Sequence, residues 1–320
     1  MAEVGGAAAR SLAGVEAVLA RVVEILVAAL VVVEIAVLSA GVVARYVLGS
    51  PLLWSDELAL LLFSWLAMLG AVVALRRGEH MRLSFVFDRF PLAWQRRVDG
   101  LVTAAMIAFL LVILPSAIRY TQIQQLEVTT ALRVPVAFRV AAVAVSFLLM
   151  ALNLIVRLTA RNGWRDILAY AVLLVLCAGA GWEAWPLLNE IGDYSLILFF
   201  VVLVLALVLL GMPIAFAFGI STVSYLLLMT HVPLTILTNR LDGGISDLIL
   251  LSIPLFIFLG SAIEATGLAL ALIDCMVALL GHLRGGLHYV LLCGMYLVSG
   301  ISGSKTADMA RTNETAFWYA

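Results

Sequence analysis

The run VVEILVAALVVVEIAVLSAGVVARYV, which extends from Val22 to Val47, is long and apolar enough to form one membrane-spanning helix. A helix needs about 20 apolar residues to cross the hydrocarbon of a bilayer. Comparable runs follow at residues 53–75, 101–118, 136–156 and 167–188, and then at 195–210, 214–229, 248–263, 268–280 and 287–298. The sequence therefore predicts an all-α, polytopic helical membrane protein that lies in the lipid bilayer.

The composition agrees with residence in lipid and argues against several classes of function. Apolar residues make up 64% of the 320 and charged residues 12%, whereas soluble domains have about 45–50% and about 25%. The net charge of −1 gives no basic surface for nucleic acid. Phosphate-binding, nucleophile-elbow and HExxH patterns do not occur. We therefore expect neither an enzyme with catalytic residues nor a protein with a bound cofactor.

Arginine placement predicts the orientation of the spans, because short cytoplasmic loops carry an excess of lysine and arginine. Six arginines crowd the loop after the second apolar run, namely Arg76, Arg77, Arg82, Arg89, Arg96 and Arg97. The loop after the fifth run instead holds Glu183, Glu190 and Asp193. These biases predict a cytoplasmic N-terminus, a cytoplasmic loop at 76–97 and an external loop at 183–193.

The stretch GGLHYVLLCGMYLVSGISGSKTAD, from Gly285 to Asp308, is typical of a re-entrant hairpin. Its apolar part is too short to span, and glycines allow a tight reversal at membrane depth. Irregular backbone at that depth is tolerated where it lines a watery cavity, and such tips coordinate sodium ions in transporters. Ser302, Gly303, Ser304 and Asp308 supply suitable oxygen atoms. A Ser-Gly packing break between helices, or a Lys305–Asp308 pair, are the alternatives.

Two further positions inside apolar runs can bear on function. Pro254 removes a helix hydrogen-bond donor beside Ser252, so a kink there can free carbonyls for a substrate or an ion. A packed proline kink with no ligand is the alternative. Glu34 lies near the middle of the first run, where an ionisable group is a functional hypothesis by default. A packed interhelical role is the alternative for Glu34.

Several motifs resemble the membrane subunits of tripartite ATP-independent periplasmic (TRAP) transporters. The first part resembles the small subunit in Arg45-Tyr46, in Trp54-Ser55-Asp56-Glu57, in Phe63-Ser64-Trp65 and in the run from Arg76 to His80. The second part resembles the large subunit in Gly211-Met212-Pro213, in the run from Ser252 to Phe256, in that from Gly281 to Leu287, and in that from Ile301 to Asp308.

This resemblance implies a fused permease of the bacterial inner membrane. We expect a four-helix small-subunit-like domain at 1–164, a connecting helix at 165–190 and the N-terminal part of a large-subunit-like domain at 191–320. Such a permease takes a small organic acid, usually a carboxylate, from a periplasmic solute-binding protein and imports it with sodium as the coupling ion. The resemblance places a sodium site at Ser302, Ser304 and Asp308.

Trp54, Asp56 and Glu57 are expected at the periplasmic end of the second span. A tryptophan ring settles at the headgroup level, and the two acids complement the dipole of the helix that begins there. Contact with the binding protein is the second interpretation of these three residues.

The chain stops at Ala320, well before a large subunit of this family would end, and the polar run from Arg311 to Thr315 departs from the family pattern. The sequence is therefore expected to hold a truncated large subunit. A non-transporting membrane scaffold that only assembles with partner proteins is the alternative function.

Overall fold

The computed structural model describes residues 2–78, 89, 91–183, 186, 192–230 and 232–280, together with positions 282, 286, 288–290, 292, 293 and 296. The regular secondary structure of these residues is helical. Within them, one isolated β-bridge pairs Val128 with Pro135. Five of the described helices are long and apolar enough to cross a membrane, or six if a pair broken near residues 246–247 counts as one span. The expected all-α, polytopic architecture is confirmed.

The helices follow one another along the chain with short connections. They are α1 (Ala2–Tyr46), α2 (Leu53–Arg77), α3 (Leu92–Ile123), α4 (Ala137–Arg161), α5 (Trp164–Glu183), α6 (Ser195–Leu209), α7 (Ile214–Met229), α8 (Thr235–Ile245), α9 (Ser252–Ala265) and α10 (Leu268–Leu280). A short 3₁₀ turn, Leu248–Leu251, precedes α9.

The chain divides into two compact units, of which the first comprises Met1–Leu30 and Leu61–Ile245. Its core is an apolar cluster contributed by α2, α3, α4, α6 and α7. On α4 the buried residues recur every three or four positions, as in Val143, Phe147, Met150, Leu154 and Leu158, so one face of the helix turns inward. The opposite face of α4 can then contact lipid.

α5 differs from the other long helices, since none of its described residues is buried. It touches the core through Tyr170, whose ring lies so close to Gly100 of α3 that a Cβ there would be 2.7 Å from the phenol oxygen. Between the charged residues at its two ends α5 is apolar and largely accessible, which suits a helix whose faces meet lipid.

Residues Leu198–Leu203 of α6 form a π-helix, and α7 packs against them. The Ser221 hydroxyl of α7 donates a hydrogen bond to the Phe199 carbonyl, and the Phe199 ring packs edge-on against Tyr225 at 5.7 Å between centroids. The turn between the two helices has Gly211 at φ +85° and Pro213 directly before α7. Glycine is favoured at such a φ, and proline is favoured where a helix begins.

The second unit comprises Val31–Leu60 and Ser246–Ala320, as far as those residues are described. Within it the end of α1 packs closely on the start of α2, because a Cβ on Gly41 would lie 3.0 Å from the Ser55 hydroxyl oxygen. α9 ends near Thr266, whose N–H donates to the Ala262 carbonyl at 3.0 Å, and Gly267 at φ +72° leads into α10.

Two of the differences between the expected and the observed elements concern α3 and α8. α3 extends from Leu92 to Ile123, well beyond the apolar run 101–118, because polar residues continue the helix at both ends. α8 was not predicted at all, since its sequence TILTNRLDGGI has no membrane-length apolar run.

Candidate functional site

The predicted sodium site lies outside the described residues. Ser302, Gly303, Ser304 and Asp308 all fall in 297–320, as does Lys305. The sodium assignment therefore stays a prediction from the sequence pattern. The part of the chain that the structure does describe contains no group of three or more histidine, cysteine or acidic side chains that could hold a metal ion.

Ser252 and Pro254, the second candidate region, lie at the beginning of α9, where the 3₁₀ turn ends. The buried Pro254 is the third residue of the helix, and a missing N–H in the first helical turn leaves no bond of the helix unmade. The Ser252 hydroxyl donates to the Ile249 carbonyl at 2.6 Å. The proline thus begins a helix rather than kinking one, and the serine hydroxyl is satisfied locally.

Trp54, Asp56 and Glu57 occupy the first turns of α2. Trp54 is exposed, Glu57 is half-buried, and Asp56 lies in the first helical turn, where a carboxylate complements the dipole. The Asp56 carboxylate also pairs with Arg45 at the end of α1, with 3.1 Å between Nη2 and Oδ2. This ion pair ties together the two helix ends that flank the turn, a role that the sequence pattern did not reveal.

A largely buried ion pair joins α4 to α8: its carboxylate is buried, and its guanidinium is partly exposed. The Arg139 guanidinium, two residues after the start of α4, donates from Nη2 to the Asp242 Oδ2 in the last turn of α8 at 2.9 Å. Asp242 is 5% exposed, so its charge lies almost entirely out of contact with solvent. A carboxylate so buried requires a close cationic partner, and Arg139 provides one.

A second set of polar contacts to α8 lies at the C-terminal end of α3. The Tyr120 hydroxyl donates to the Asn239 Oδ1 of α8 at 2.9 Å. The same hydroxyl oxygen accepts from the Gln124 side-chain amide, also at 2.9 Å. Two sets of side-chain contacts therefore join the α3–α4 pair to α8, and we name their five members the polar clamp: Tyr120, Gln124, Arg139, Asn239 and Asp242.

An aromatic contact joins α3 to α7. The Phe109 ring of α3 meets the Phe216 ring of α7 edge to face, with 5.9 Å between centroids. A Cβ on Gly219, one turn further along α7, would lie 2.7 Å from the tip of the Phe109 ring. Gly219 therefore leaves the space that Phe109 fills.

Beside this contact the first unit has a partly open apolar cavity of about 860 Å³. Its walls come from α3, α5, α6 and α7, and its lining is almost wholly apolar. A cavity of that character does not hold a charged solute, because a buried charge requires paired or hydrogen-bonding groups.

Ion pairs also lie near the end of α2 and the start of α3. The Glu24 carboxylate of α1 lies 3.6 Å from Arg76 and 3.3 Å from Arg77 at the end of α2. Asp99 near the start of α3 lies 3.6 Å from Arg157 and 3.4 Å from Arg161 of α4. These pairs are partly exposed, and such pairs contribute about 0–1 kcal/mol each.

Glu34 is fully buried, and neither of its carboxylate oxygens has a hydrogen-bond partner in the described structure. The sequence singled it out as an ionisable group deep in an apolar helix. Its burial agrees with that position, while the absence of a bonded partner leaves its role a hypothesis.

Sequence reasoning missed the polar clamp entirely. One signal for it was Arg139, an ionisable residue inside the predicted span 136–156. A second was the polar run Thr238-Asn239-Arg240, followed by Asp242, between two apolar segments. Intramembrane ionisable groups are expected to have partners, and pairing these two signals would have joined α4 to α8.

Two family models match successive parts of the chain. Residues 34–162 match the model described as "Tripartite ATP-independent periplasmic transporters, DctQ component". Residues 201–317 match the one described as "Tripartite ATP-independent periplasmic transporter, DctM component". α2 to α4 lie in the first match, and α7 to α10 in the second.

Relatives carry the same two components. The sialic acid TRAP transporter permease protein SiaT of Haemophilus influenzae is 26% identical over 85% of the chain and 46% of its own length. The isethionate TRAP transporter permease protein DctMQ of Oleidesulfovibrio alaskensis is 27% identical over 80% and 40% respectively. The sialic acid TRAP transporter small permease protein SiaQ of Vibrio cholerae is 37% identical over 21% and 39%. The chain therefore spans less than half the length of these relatives.

Proposed function

Because the chain belongs to the tripartite ATP-independent periplasmic transporter permeases, with a DctQ-component region followed by part of a DctM-component region, we propose that it is the permease component of a sodium-coupled, binding-protein-dependent secondary transporter. It is a multi-pass membrane protein, and its named relatives are permeases of bacteria. In this proposal it resides in the inner membrane with its N-terminus in the cytoplasm.

The observation that carries the proposal is the packing of the two regions on one another. Core residues of the DctM-type region, namely Val204, Val208, Met212, Phe216 and Ala217, belong to the same buried cluster as the core of α3 and α4. A shared core is expected of two components that act as one permease, and it is not needed if the chain merely strings two independent modules together.

The proposed solute is a small organic acid, most simply a carboxylate. The relatives SiaT and DctMQ are named for sialic acid and for isethionate, which are both acidic solutes. Both relatives are TRAP permeases, and the two matched families are components of tripartite periplasmic transporters. A periplasmic solute-binding protein is therefore the proposed partner that delivers the acid.

Sodium coupling is proposed on the pattern of the segment around Gly303. Ser302 and Ser304 flank the glycine, so one irregular turn can direct both hydroxyls and the intervening carbonyls to a single point. Asp308 follows Ser304 by four residues, which is the spacing of one helical turn, and its carboxylate can offset the charge of a desolvated cation. Ser252 and Pro254 remain a weaker candidate for a substrate or ion region, because the Ser252 hydroxyl is already bonded locally.

Docking of the binding protein is proposed at the start of α2. Trp54 and Asp56 are both exposed there, and the proposed topology puts this end outside the cytoplasm. Replacing Asp56 and Glu57 with asparagine is expected to weaken docking or assembly, measured by capture of the binding protein and by co-purification of the components. Unchanged behaviour in both assays removes this surface from consideration.

Transport itself is tested by reconstitution. Proteoliposomes that contain the 320-residue chain, the binding protein of the same organism and labelled sialic acid or isethionate are given an inward sodium gradient. Accumulation of one solute that needs both the gradient and the binding protein supports the proposal. Binding-protein capture without uptake under any gradient supports the alternative, a membrane scaffold that assembles with partners and does not transport.

A further inference from the structure

The DctQ-type and DctM-type regions are linked covalently in this chain, yet one relative is named as a small permease protein on its own. Between the two matched regions lie residues 163–200, which include α5. α5 buries none of its described residues. The question is therefore which non-covalent contacts hold the regions together.

Two polar contacts of the polar clamp join the two regions. Arg139 lies in the DctQ-type region, and Asp242 lies in the DctM-type region. The Tyr120–Asn239 hydrogen bond crosses the same boundary at 2.9 Å. By contrast, the pairs of Asp99 with Arg157 and Arg161 lie wholly within the DctQ-type region.

Each charge of the buried pair lies at the end of its helix that the helix dipole disfavours. Arg139 is in the first turn of α4, near the positive end, and Asp242 is in the last turn of α8, near the negative end. The dipole of its own helix disfavours each charge, whereas each is paired with the opposite charge across the boundary. Buried ionic groups in such settings are best attested as determinants of pairing and register rather than of stability.

We propose that the face of α8 bearing Asn239 and Asp242 is a recognition surface for a DctQ-type helical bundle that presents a cation at the start of its fourth helix. The partner here is the chain's own α3–α4 pair, and the same surface fits a DctQ-type bundle supplied as a separate polypeptide. The Phe109 ring, packed on Gly219, sets how closely α3 and α7 approach each other. The Arg139–Asp242 pair selects the partner. The inference depends on the assignment of the two regions and not on the proposed transport.

The test cuts the full chain after it has folded. A tobacco etch virus protease site with flexible flanks is inserted between Asn162 and Gly163, in the break between α4 and α5, and an affinity tag is placed at the N-terminus. The protein is purified in mild detergent, its monodispersity is checked by size exclusion, and it is then cleaved. The measured quantity is the fraction of the C-terminal fragment that stays on the tagged N-terminal fragment.

We expect the parental fragments to remain together after cleavage. Asp242→Arg and Arg139→Asp should each lower the retained fraction by about tenfold or more, because each leaves a buried charge facing a like charge. The double exchange Arg139→Asp with Asp242→Arg should restore retention, since the pair is re-formed and each charge then lies at the end its helix dipole favours. Asp99→Arg, a matched reversal within the DctQ-type region, should leave retention at the parental level.

Asp242→Asn, which keeps the shape of the side chain, is measured in parallel in case a reversed charge prevents folding, and it too should lower retention. Separation of the parental fragments on cleavage would overturn the proposal. So would retention that is indifferent to Asp242→Asn and to both reversals, or a double exchange that retains no more than either single variant. Because the readout is physical association, failure of the transport proposal would leave this result unaffected.

Discussion

Asp308 is the residue on which the proposed sodium coupling depends most directly. In the complete transporter that contains this segment, Asp308→Asn should lower sodium-dependent uptake by roughly tenfold or more, since the neutral amide no longer offsets a desolvated cation. The measurement is the initial uptake rate as a function of sodium concentration. Asp274→Asn, at an exposed position on α10, is the matched control and should behave as the parent does.

Membrane insertion and expression of the Asp308→Asn protein should be unchanged, because the prediction concerns ion binding and not folding. Uptake that persists at the parental rate with the same sodium dependence would show that Asp308 is not a ligand. A Lys305–Asp308 pair would then be the better interpretation of the segment.

We predict that the buried carboxyl group of Glu34 lowers the stability of the folded protein. Replacing it with methionine keeps an unbranched side chain and removes two buried oxygens that have no hydrogen-bond partner in the described structure. An unsatisfied buried polar group costs about 1–3 kcal/mol, so Glu34→Met should raise the thermal midpoint of the protein in detergent. Glu24→Met, which removes a half-exposed ion pair, should change the midpoint little or lower it slightly.

A lower midpoint for Glu34→Met than for the parent would contradict this prediction and would mean that the carboxyl group makes a stabilising contact. A raised midpoint together with lost uptake would instead give Glu34 a functional role that is maintained at the expense of stability.

At the scale of the elements, the packing of α3 on α7 depends on the missing side chain of Gly219. Gly219→Ala should lower the thermal midpoint, because its Cβ would come within 2.7 Å of the Phe109 ring and overpacking costs about 1–3 kcal/mol. Gly70→Ala in α2 is the control, since a Cβ there meets no atom within 4 Å. Alanine is the better helix former, so this control should leave the midpoint unchanged or slightly raised.

The double variant Gly219→Ala with Phe109→Leu should recover part of the loss, because the shorter side chain makes room for the added methyl group. Equal effects of Gly219→Ala and Gly70→Ala would exclude a specific contact between Phe109 and Gly219.

The sequence predicted elements well where hydrophobic length alone decides them. The runs at 53–75 and 136–156 fall within α2 and α4, because about 20 apolar residues have few alternatives to a spanning helix. α8 escaped prediction because its stability comes from partners in other helices, such as Arg139 and Tyr120, rather than from its own apolar residues. Pro254 was interpreted as a kink for a related reason, since the 3₁₀ turn before it could not be seen in the composition.

At the scale of the whole molecule, the arginine bias predicts which loops face the cytoplasm. In a variant whose three native cysteines, Cys177, Cys275 and Cys293, are replaced, single cysteines are introduced at positions 89 and 190. A membrane-impermeant maleimide applied to intact cells should label position 190 and not position 89. Permeabilised cells should show labelling at both, which controls for accessibility.

Strong labelling of position 89 in intact cells with none at 190 would show that the topology is inverted. The polar clamp and the start of α2 would then lie on the cytoplasmic side, and docking of a periplasmic protein at Trp54 and Asp56 would be excluded.

Because α5 joins the two regions in one polypeptide, their association is intramolecular. A short connection that can span its sites gives an effective concentration on the order of 1 mM. An interface with a dissociation constant of about 1 µM would then stay closed almost all of the time. Weakening it a thousandfold, or by about 4 kcal/mol, would leave it closed about half of the time. The fused chain can therefore tolerate losses at its internal interface that a pair of separate polypeptides, diluted in the membrane, would experience as dissociation.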